Sequence, residues 1–202
     1  RPYVTCLARC SQEKEPERFV GLVCEAARQG VLAKHGVKIA VAGAGWTCCD
    51  GEAGAQGSLG QTLAARLKEA VPDALVYDRF LSGPELAALL AQTRLNVHPP
   101  LADAYGMTIV EAASQGAPSL VHCGEGVGAK ALLQNARDEV IEIDFAGPGG
   151  FEPQAECLDI ILGQASRLQR VGEKAQKRAR EWDEDAAGKQ LAAWIREAAS
   201  IA

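Results

Sequence analysis

The chain has 202 residues, of which 48% are hydrophobic and only 5% aromatic, and its formal net charge is −5. This length suits one domain with a sizeable core, and the abundance of Ala, Leu, Val and Gly favours helices packed on a parallel sheet. The mild negative charge excludes a broad basic surface for nucleic acid or anionic membrane, so any phosphate site must use a few placed cations.

Short apolar runs alternate with amphipathic segments, and this alternation predicts strands separated by helices. In chain order, the predicted elements are a strand over 3–8, a helix over 17–29, a strand over 37–42, a helix over 61–70, a strand over 74–77, a helix over 83–92, a strand over 95–97, a helix over 107–114, a strand over 117–121, a helix over 127–134, a strand over 139–143 and a helical region from about 154 with breaks near 172 and 183.

Six short apolar strands joined through helices predict an α/β fold, a Rossmann-like doubly wound parallel sheet with helices on both faces and further C-terminal helices. We expect residues 1–202 to form a single domain. Ligands of such sheets bind beyond the carboxyl ends of the strands. A site is therefore expected in the loops that follow the strands, after residues 8, 42, 77, 97 and 121.

The cysteines and the hydropathy pattern bear on localisation. The seven cysteines are odd in number and form no C-x-x-C pair, which favours reduced thiols over a disulfide framework. No transmembrane run or signal peptide is present, so we expect a location in the cytoplasm or at the cytosolic face of a membrane. Because the first residues already look like a strand, we also expect that the chain was cut at a domain boundary.

The most informative stretch runs from Asp103 to Pro118, after a predicted strand and into a helix. The N–H groups around Gly106 and Met107 should be unpaired at the helix start, where the helix dipole favours an anion. Gly106 also allows a ligand to approach the backbone. Glu111 lies among apolar residues, where a carboxylate needs a partner; a ribose diol, an Arg or an exposed helix edge would satisfy it.

Two cations follow the first strand, at Arg9 and Lys14. They can converge on a diphosphate, with Arg forming fork-like hydrogen bonds and Lys acting as a point charge. The alternative is an ordinary solvated charge cluster, since Glu13, Glu15 and Glu17 are close by.

The segment 103–118 resembles the E-x-F-G-x-x-x-x-E-A-x-A-x-G-x-P signature of retaining glycosyltransferases with the GT-B fold, especially glycosyltransferase family 4. Arg9 and Lys14 resemble that family's G-R-x-x-x-x-K-G segment, and the order of landmarks agrees along nearly the whole chain. Two features depart from the family pattern. Asp103 replaces the usual Glu and is one methylene shorter, and Cys10 and Glu15 replace small or Gly residues in the first loop.

The resemblance implies the donor-binding half of a retaining glycosyltransferase, which moves a sugar from a nucleoside diphosphate to a glycan, lipid or small-molecule acceptor. It implies that the acceptor site belongs to an N-terminal domain absent from this chain, and that this chain alone is inactive. The implied donor substrate is the nucleotide sugar, and no metal or other cofactor is required.

The resemblance also implies roles for individual residues. Arg9 and Lys14 would grip the diphosphate, and Asp103 would bind hydroxyls of the transferred sugar near the reacting carbon. The residues implied to bind the remainder of the donor are Glu111 at the ribose, Arg79 and Phe80 at the nucleobase, Gly43 where the ligand comes close, and the backbone N–H groups of Tyr105, Gly106 and Met107.

Two other functions are compatible with parts of the sequence. An NAD-type dinucleotide-binding domain would use a Gly-rich turn, but Gly43-Ala44-Gly45 supplies two glycines and follows the second strand rather than the first. A non-catalytic interaction module derived from a GT-B fold would retain the fold without the chemistry, and Asp103 in place of Glu is compatible with it.

Weaker motifs have simpler interpretations. Asp183-Glu184-Asp185 spells D-x-D, but it lies between predicted helices and is interpreted as helix capping. Cys48-Cys49-Asp50 has no partner cluster and is interpreted as a loop. His98 ends a predicted strand near the expected site, where it could contact substrate or make a structural hydrogen bond.

Overall fold

The computed structural model describes residues 1–46, 58–181, 189, 192, 193 and 196. These residues contain a sheet of six parallel strands in the order β3-β2-β1-β4-β5-β6. This confirms the predicted doubly wound fold. The strands are β1 (Tyr3–Leu7), β2 (Lys38–Ala42), β3 (Leu75–Tyr77), β4 (Thr93–His98), β5 (Ser119–His122) and β6 (Ile141–Ile143).

Helices cover both faces of the sheet. The helices α1, α2, α3 and α6 pack together on one face, α4 and α5 pack on the other, and α7 contacts both α5 and α6. Among the described helices, none is both long and apolar enough to cross a bilayer. The helices are α1 (Pro16–Arg28), α2 (Val31–His35), α3 (Leu59–Ala70), α4 (Gly83–Ala91), α5 (Met107–Ser114), α6 (Glu152–Gly163) and α7 (Ala165–Ala179).

The central strands are buried on both faces, as a covered parallel sheet requires. In β2, Ile39 and Val41 pack toward the α1 layer, whereas Ala40 and Ala42 pack toward α4 and α5. Successive side chains of a strand point to opposite faces, so this alternation follows from the pleat. The small alanines let α4 and α5 lie close to the sheet.

Serine capping boxes define where two helices begin. The Ser58 hydroxyl accepts from the Gln61 N–H at 3.3 Å, and the Gln61 side chain accepts from the Ser58 N–H at 3.2 Å. The first of these helices, α3, therefore begins two residues before the predicted start at 61. Ser82 and Glu85 form the corresponding pair at the start of α4, where Glu85 accepts the Ser82 N–H at 2.9 Å.

One helix was missed and two predicted features were wrong. The short helix α2 was not predicted, although Gly30 and Gly36 flank it in the left-handed region at φ 75° and 60°. The predicted helix over 127–134 is instead a 3-10 turn at Gly128–Ala131 followed by another at Asn135–Arg137. Gly172 does not break the C-terminal helical region, because α7 continues through it and the break is at Gln164.

The position of Gly172 gives a test of how α7 packs. A Cβ at Gly172 would lie 2.4 Å from the carbonyl oxygen of Gly116, whereas at Gly163 the nearest atom is His35 Cε1 at 3.7 Å. We expect Gly172→Ala to lower the free energy of unfolding by about 2 kcal/mol through overpacking. Gly163→Ala should change the free energy of unfolding by less than about 1 kcal/mol, because the added methyl group meets no close contact and only the helix propensity changes. Urea denaturation measures both, and equal values would contradict this packing.

Candidate functional site

The candidate site lies where the sheet reverses its strand order, between β1 and β4. Ligands of doubly wound sheets bind in the crevice at this point, outside the carboxyl ends of the strands. The loop after β1 carries Arg9 and Lys14, and the loop after β4 carries Asp103 and leads into α5. The two loops meet, because Lys14 Nζ lies 2.8 Å from Asp103 Oδ2.

Asp103 is held by donors on both of its carboxylate oxygens. Oδ1 accepts the backbone N–H groups of Tyr105 at 3.3 Å and Gly106 at 3.1 Å. Oδ2 accepts from Lys14 at 2.8 Å, and His98 Nε2 lies 3.2 Å from the same oxygen. The carboxylate side chain is only 9% exposed, so these groups replace most of its hydration.

The surroundings of Asp103 keep it ionised. Burial raises the pKa of the carboxyl group, but the hydrogen bonds from Lys14, Gly106 and Tyr105 outweigh it, and the pKa lies below its ordinary value. A carboxylate and an ammonium ion therefore face each other in a site that is largely shielded from solvent.

Close backbone packing shapes the loop that carries Asp103. Its N–H donates to Gly126 O and its carbonyl accepts from the Gly128 N–H, both at 2.8 Å. A Cβ at Gly128 would lie 2.0 Å from Ala104 O, and one at Gly126 would lie 2.6 Å from Leu101 O. The loop after β5 thus lies directly against the loop after β4, which requires glycine at both positions.

The N–H groups at the start of α5 differ in part from the expectation. Those of Tyr105 and Gly106 are not free, because the Asp103 side chain accepts both. Those of Met107 and Thr108 have no acceptor among the described residues. Gly106 adopts φ 61° in the left-handed region just before the helix. The free N–H groups of Met107 and Thr108 point out of its N-terminus, as first-turn N–H groups of an α-helix do.

Glu15 stands where the G-R-x-x-x-x-K-G segment that the first loop resembles has its last Gly. It adopts φ 43° and ψ 47°, a left-handed conformation in which glycine is usual. Its Oε2 accepts the Leu101 N–H at 2.6 Å and its Oε1 accepts from Arg18 at 3.0 Å. These bonds offset the backbone strain, and they tie the loop that carries Lys14 to the loop that carries Asp103.

Arg9 and Lys14 have different surroundings. In the part of the chain that the structure describes, the Arg9 side chain bonds only Glu13, at 2.6 Å, and the two side chains are 54% and 61% exposed. The solvated charge cluster therefore describes Arg9 in this structure. It does not describe Lys14, which is only 25% exposed and is paired across the crevice.

A cleft of about 250 Å³ lies between the ends of β1 and β2 and the start of α5, and its lining includes none of Arg9, Lys14 and Asp103. Glu111 faces the cleft from α5, and burial raises its pKa above the ordinary value. Within the described ranges its carboxylate has neither a hydrogen bond nor an ion pair. Such a half-buried acceptor suits a ligand with hydroxyl donors. The cleft is lined by Leu7, Ala8, Ala42, Gly43, Phe80, Leu81, Leu86, Met107, Thr108 and Glu111.

The other candidate residues divide between the cleft and its surroundings. Phe80 lines the cleft and is 67% exposed. Arg79 instead forms a fork-like pair with Glu85, at 2.7 and 2.9 Å, outside the lining.

Gly43 lines the cleft at φ 146°, and a Cβ there would lie 2.3 Å from Ala8 O. Close packing between the first two loops thus requires this glycine, whether or not a ligand binds. Tyr105 and Met107 have exposed side chains.

His98, which the sequence placed near the expected site, lies inside it. It ends β4, its side chain is 4% exposed, and its Nδ1 lies 3.3 Å from Thr108 Oγ1. Burial lowers its pKa to about 4, with a smaller opposing effect from Asp103, so the ring is neutral at pH 7. Its Nε2 is buried and makes no hydrogen bond of acceptable geometry, despite lying 3.2 Å from Asp103 Oδ2.

One group of possible metal ligands occurs among the described residues. His122, Cys123 and Asp144 place ligand atoms within 4.8 Å of one another at the ends of β5 and β6. However, His122 Nδ1 accepts the Phe145 N–H at 3.3 Å, and the Lys130 ammonium donates to Cys123 O at 2.8 Å. A cation beside an ammonium ion is disfavoured, so we assign this group no role.

Two motifs from the sequence cannot be placed. Cys48-Cys49-Asp50 and Asp183-Glu184-Asp185 lie outside the described residues.

Comparison with known proteins shows the fold. No protein-family model and no curated protein matches the chain. A trehalose 6-phosphate synthase from Burkholderia multivorans is 16% identical with a TM-score of 0.72, matching 100% of this chain and 44% of its own. A sucrose-phosphate synthase from Thermosynechococcus elongatus is 14% identical with a TM-score of 0.70, matching 100% of this chain and 46% of its own.

A pneumococcal O-GlcNAc transferase, GtfA, solved in complex with UDP and GlcNAc, is 14% identical with a TM-score of 0.67. It matches 96% of this chain and 35% of its own. The chain thus spans less than half the length of these solved structures.

The buried neutral His98 predicts how stability depends on pH. Its pKa falls from 6.5 to about 4 on folding, so the unfolded chain binds a proton that the folded chain does not. The free energy of unfolding should therefore fall by up to about 3 kcal/mol as the pH drops from 7 to 4. Urea denaturation across this range measures it. In His98→Asn this contribution should vanish, and equal slopes for variant and wild type would contradict the assignment.

Proposed function

We propose that this chain is the donor-binding domain of a retaining glycosyltransferase, which transfers a sugar from a nucleoside diphosphate to an acceptor. One observation carries the proposal: the Lys14–Asp103 pair joins the loops after β1 and β4. The loop that carries Asp103 leads directly into α5, whose first turn and Glu111 line the cleft. The site offers a cation for phosphate, carboxylates for hydroxyl groups and an apolar wall for a base.

The fold comparison supports the choice of ligand. Proteins of this fold include enzymes named as sugar-phosphate synthases and a transferase solved with UDP and GlcNAc. Those ligands belong to those proteins, and we carry them over to this chain only as a proposal. UDP is therefore the first probe, with GDP and ADP beside it.

In the proposed complex, the diphosphate binds at the start of α5. The free N–H groups of Met107 and Thr108 face this position, and the helix dipole adds a partial positive charge. Lys14 leaves Asp103 to pair with the diphosphate, and Arg9 leaves its exposed partner Glu13 to bind from the outer side. Both cations lie in the loop after β1, which the sheet reversal brings to the same edge as the start of α5.

The nucleoside occupies the cleft in this proposal. Glu111 accepts the two ribose hydroxyl groups, which satisfies a half-buried carboxylate that otherwise has no partner among the described residues. Phe80 covers the base, and Gly43 forms part of the floor. Arg79 is held by Glu85 at the rim, where it can contact the base only from its edge.

The proposed chemistry needs few protein groups and no resident metal or cofactor. As the bond to the sugar breaks, negative charge develops on the diphosphate, and Lys14 with the N-terminus of α5 stabilises it. One such preorganised contact contributes about 3 kcal/mol to the transition state. Asp103 binds hydroxyl groups of the sugar. The hydroxyl group of the acceptor, a glycan, lipid or small molecule, attacks from the face that the diphosphate leaves, and its proton passes to the departing diphosphate oxygen.

We also propose that a second domain supplies the acceptor site. This chain would then bind the nucleotide without that domain but transfer no sugar. The complete protein is accordingly required for every measurement of transfer below.

The Lys14–Asp103 pair predicts opposite effects of one substitution on binding and transfer. Asp103→Asn retains an acceptor for the N–H groups of Tyr105 and Gly106 but no longer holds Lys14 by charge. We expect the affinity for UDP to rise about fivefold, which corresponds to ~1 kcal/mol for a partly exposed ion pair. Transfer should fall at least a hundredfold, because the Asp103 carboxylate no longer binds the hydroxyl groups of the sugar. Calorimetry and a transfer assay measure the two effects.

A second Lys–Asp pair provides the matched control. Lys34 of α2 lies 2.7 Å from Asp159 of α6, and neither residue lines the cleft, so Asp159→Asn breaks a similar pair away from the site. This variant should bind UDP and transfer sugar like the wild type. If Asp103→Asn binds UDP no better than Asp159→Asn does, Lys14 is not the phosphate ligand.

The unpaired Glu111 predicts a loss of affinity on amidation. Glu111→Gln should weaken UDP about tenfold, since a hydrogen bond to a charged group is replaced by one to a neutral group. The effect should be small with 2′-deoxy-UDP, which lacks one of the two hydroxyl groups. Glu156, exposed on α6, gives the control Glu156→Gln. Equal loss for UDP and its deoxy form would remove Glu111 from the ribose site.

A further inference from the structure

His98 occupies an unusual position in the candidate site. It is almost fully buried at the end of β4, and it lies between Thr108 of α5 and the carboxylate of Asp103. A buried polar atom without a hydrogen bond carries a cost, yet Nε2 has none in the described residues. The nearest acceptor is Asp103 Oδ2, at 3.2 Å.

The neighbours of the ring determine which nitrogen carries the proton. Asp103 is an acceptor only, so a lone pair on Nε2 would repel it. The Thr108 hydroxyl can either donate to or accept from Nδ1, and it adapts to the other nitrogen. A neutral ring with its proton on Nε2 is therefore the arrangement that suits both neighbours.

The Lys14 ammonium competes with His98 for the same oxygen. Oδ2 is 2.8 Å from Lys14 Nζ and 3.2 Å from His98 Nε2, and only the lysine makes a well-formed bond. The lysine extends from a loop, whereas the histidine is fixed in a strand and held by Thr108. Of the two donors, only Lys14 can leave.

We propose that His98 is a positioning residue, whose Nε2–H holds Asp103 Oδ2 when Lys14 leaves the carboxylate for the diphosphate of the donor. This inference rests on the proposed function. In the free protein the Lys14 ammonium donates to Asp103 Oδ2, and the His98 imidazole lies beside this oxygen without a well-formed hydrogen bond. In the complex the imidazole bond shortens, so the carboxylate keeps its charge and orientation while Lys14 binds phosphate.

The proposal makes His98 more important in the complex than in the free protein. Without it, Oδ2 would lose its last protein donor when Lys14 departs, and the buried carboxylate would retain the ammonium more strongly. Loss of His98 should therefore weaken nucleotide binding, although His98 itself touches neither the diphosphate nor the base.

Two amide substitutions separate this role from simple packing. In His98→Gln the side-chain nitrogen can reach the place of Nε2, whereas in His98→Asn it reaches only that of Nδ1. We expect UDP to bind His98→Gln within about twofold of the wild type, and His98→Asn to bind it about tenfold more weakly, as for one hydrogen bond to a charged group. Calorimetry on the complete protein measures both, and circular dichroism shows whether each variant is folded.

A double substitution tests the pathway through Asp103. In an Asp103→Asn background the carboxylate that holds Lys14 is gone, so adding His98→Asn should change the affinity for UDP by less than about twofold. A tenfold loss in that background would mean that His98 acts in some other way, and the inference would be wrong.

Nitrogen NMR of the wild-type ring gives a readout that needs no substitution. The expected form is neutral with its proton on Nε2, in both free and UDP-bound protein; a proton on Nδ1 in the complex would overturn the inference. Equal affinities of the Gln and Asn variants would overturn it as well, while leaving the proposed function intact. If the wild type binds none of UDP, GDP and ADP, the proposed function fails and this inference fails with it.

Discussion

A charge pair between two loops far apart in sequence is the interaction on which the site depends. Lys14 and Asp103 are 89 residues apart, and they meet because the sheet reverses its order between β1 and β4. A second contact ties the same two loops, because Glu15 accepts the Leu101 N–H, and the loop that carries Asp103 also packs against Gly128 of the loop after β5. The pair therefore joins two preformed walls of a crevice, and the cleft and the start of α5 derive their geometry from the same walls.

The sequence predicted the fold well because its signals are local and repeated. Six apolar runs with helical segments between them leave few arrangements other than a doubly wound sheet. The errors arose where tertiary contacts override local preference. The segment at 127–134 has helical spacing, yet it forms a 3-10 turn where Gly128 packs against Ala104 of the neighbouring loop. Gly172 was expected to end a helix, but its small size is what lets α7 lie against Gly116.

The candidate site was partly predictable for a similar reason. Spacing along a strand–loop–helix unit places Asp103 and Glu111 on one edge of the sheet, and sheet topology brings Lys14 to it. Hydrogen bonding within the loops cannot be read from spacing. The Asp103 side chain accepts hydrogen bonds from two N–H groups that were expected to be free, and Glu13 accepts one from the Arg9 side chain. His98 gave a weak signal, since a lone histidine at a strand end has no pattern that distinguishes a site from a core.

The pairing of Lys14 with Asp103 has a consequence for the kinetics of capture. An ammonium ion already matched by a carboxylate presents almost no net field beyond the crevice, in a chain whose formal charge is −5. An anion approaching from bulk water is therefore not steered toward the pocket over long range, and because the net charge repels it, its rate of arrival should rise as ionic strength screens that repulsion. The ligand is therefore recognised only on contact. Separating Lys14 from Asp103 costs free energy, and only a ligand that binds both the ammonium and the carboxylate offsets that cost.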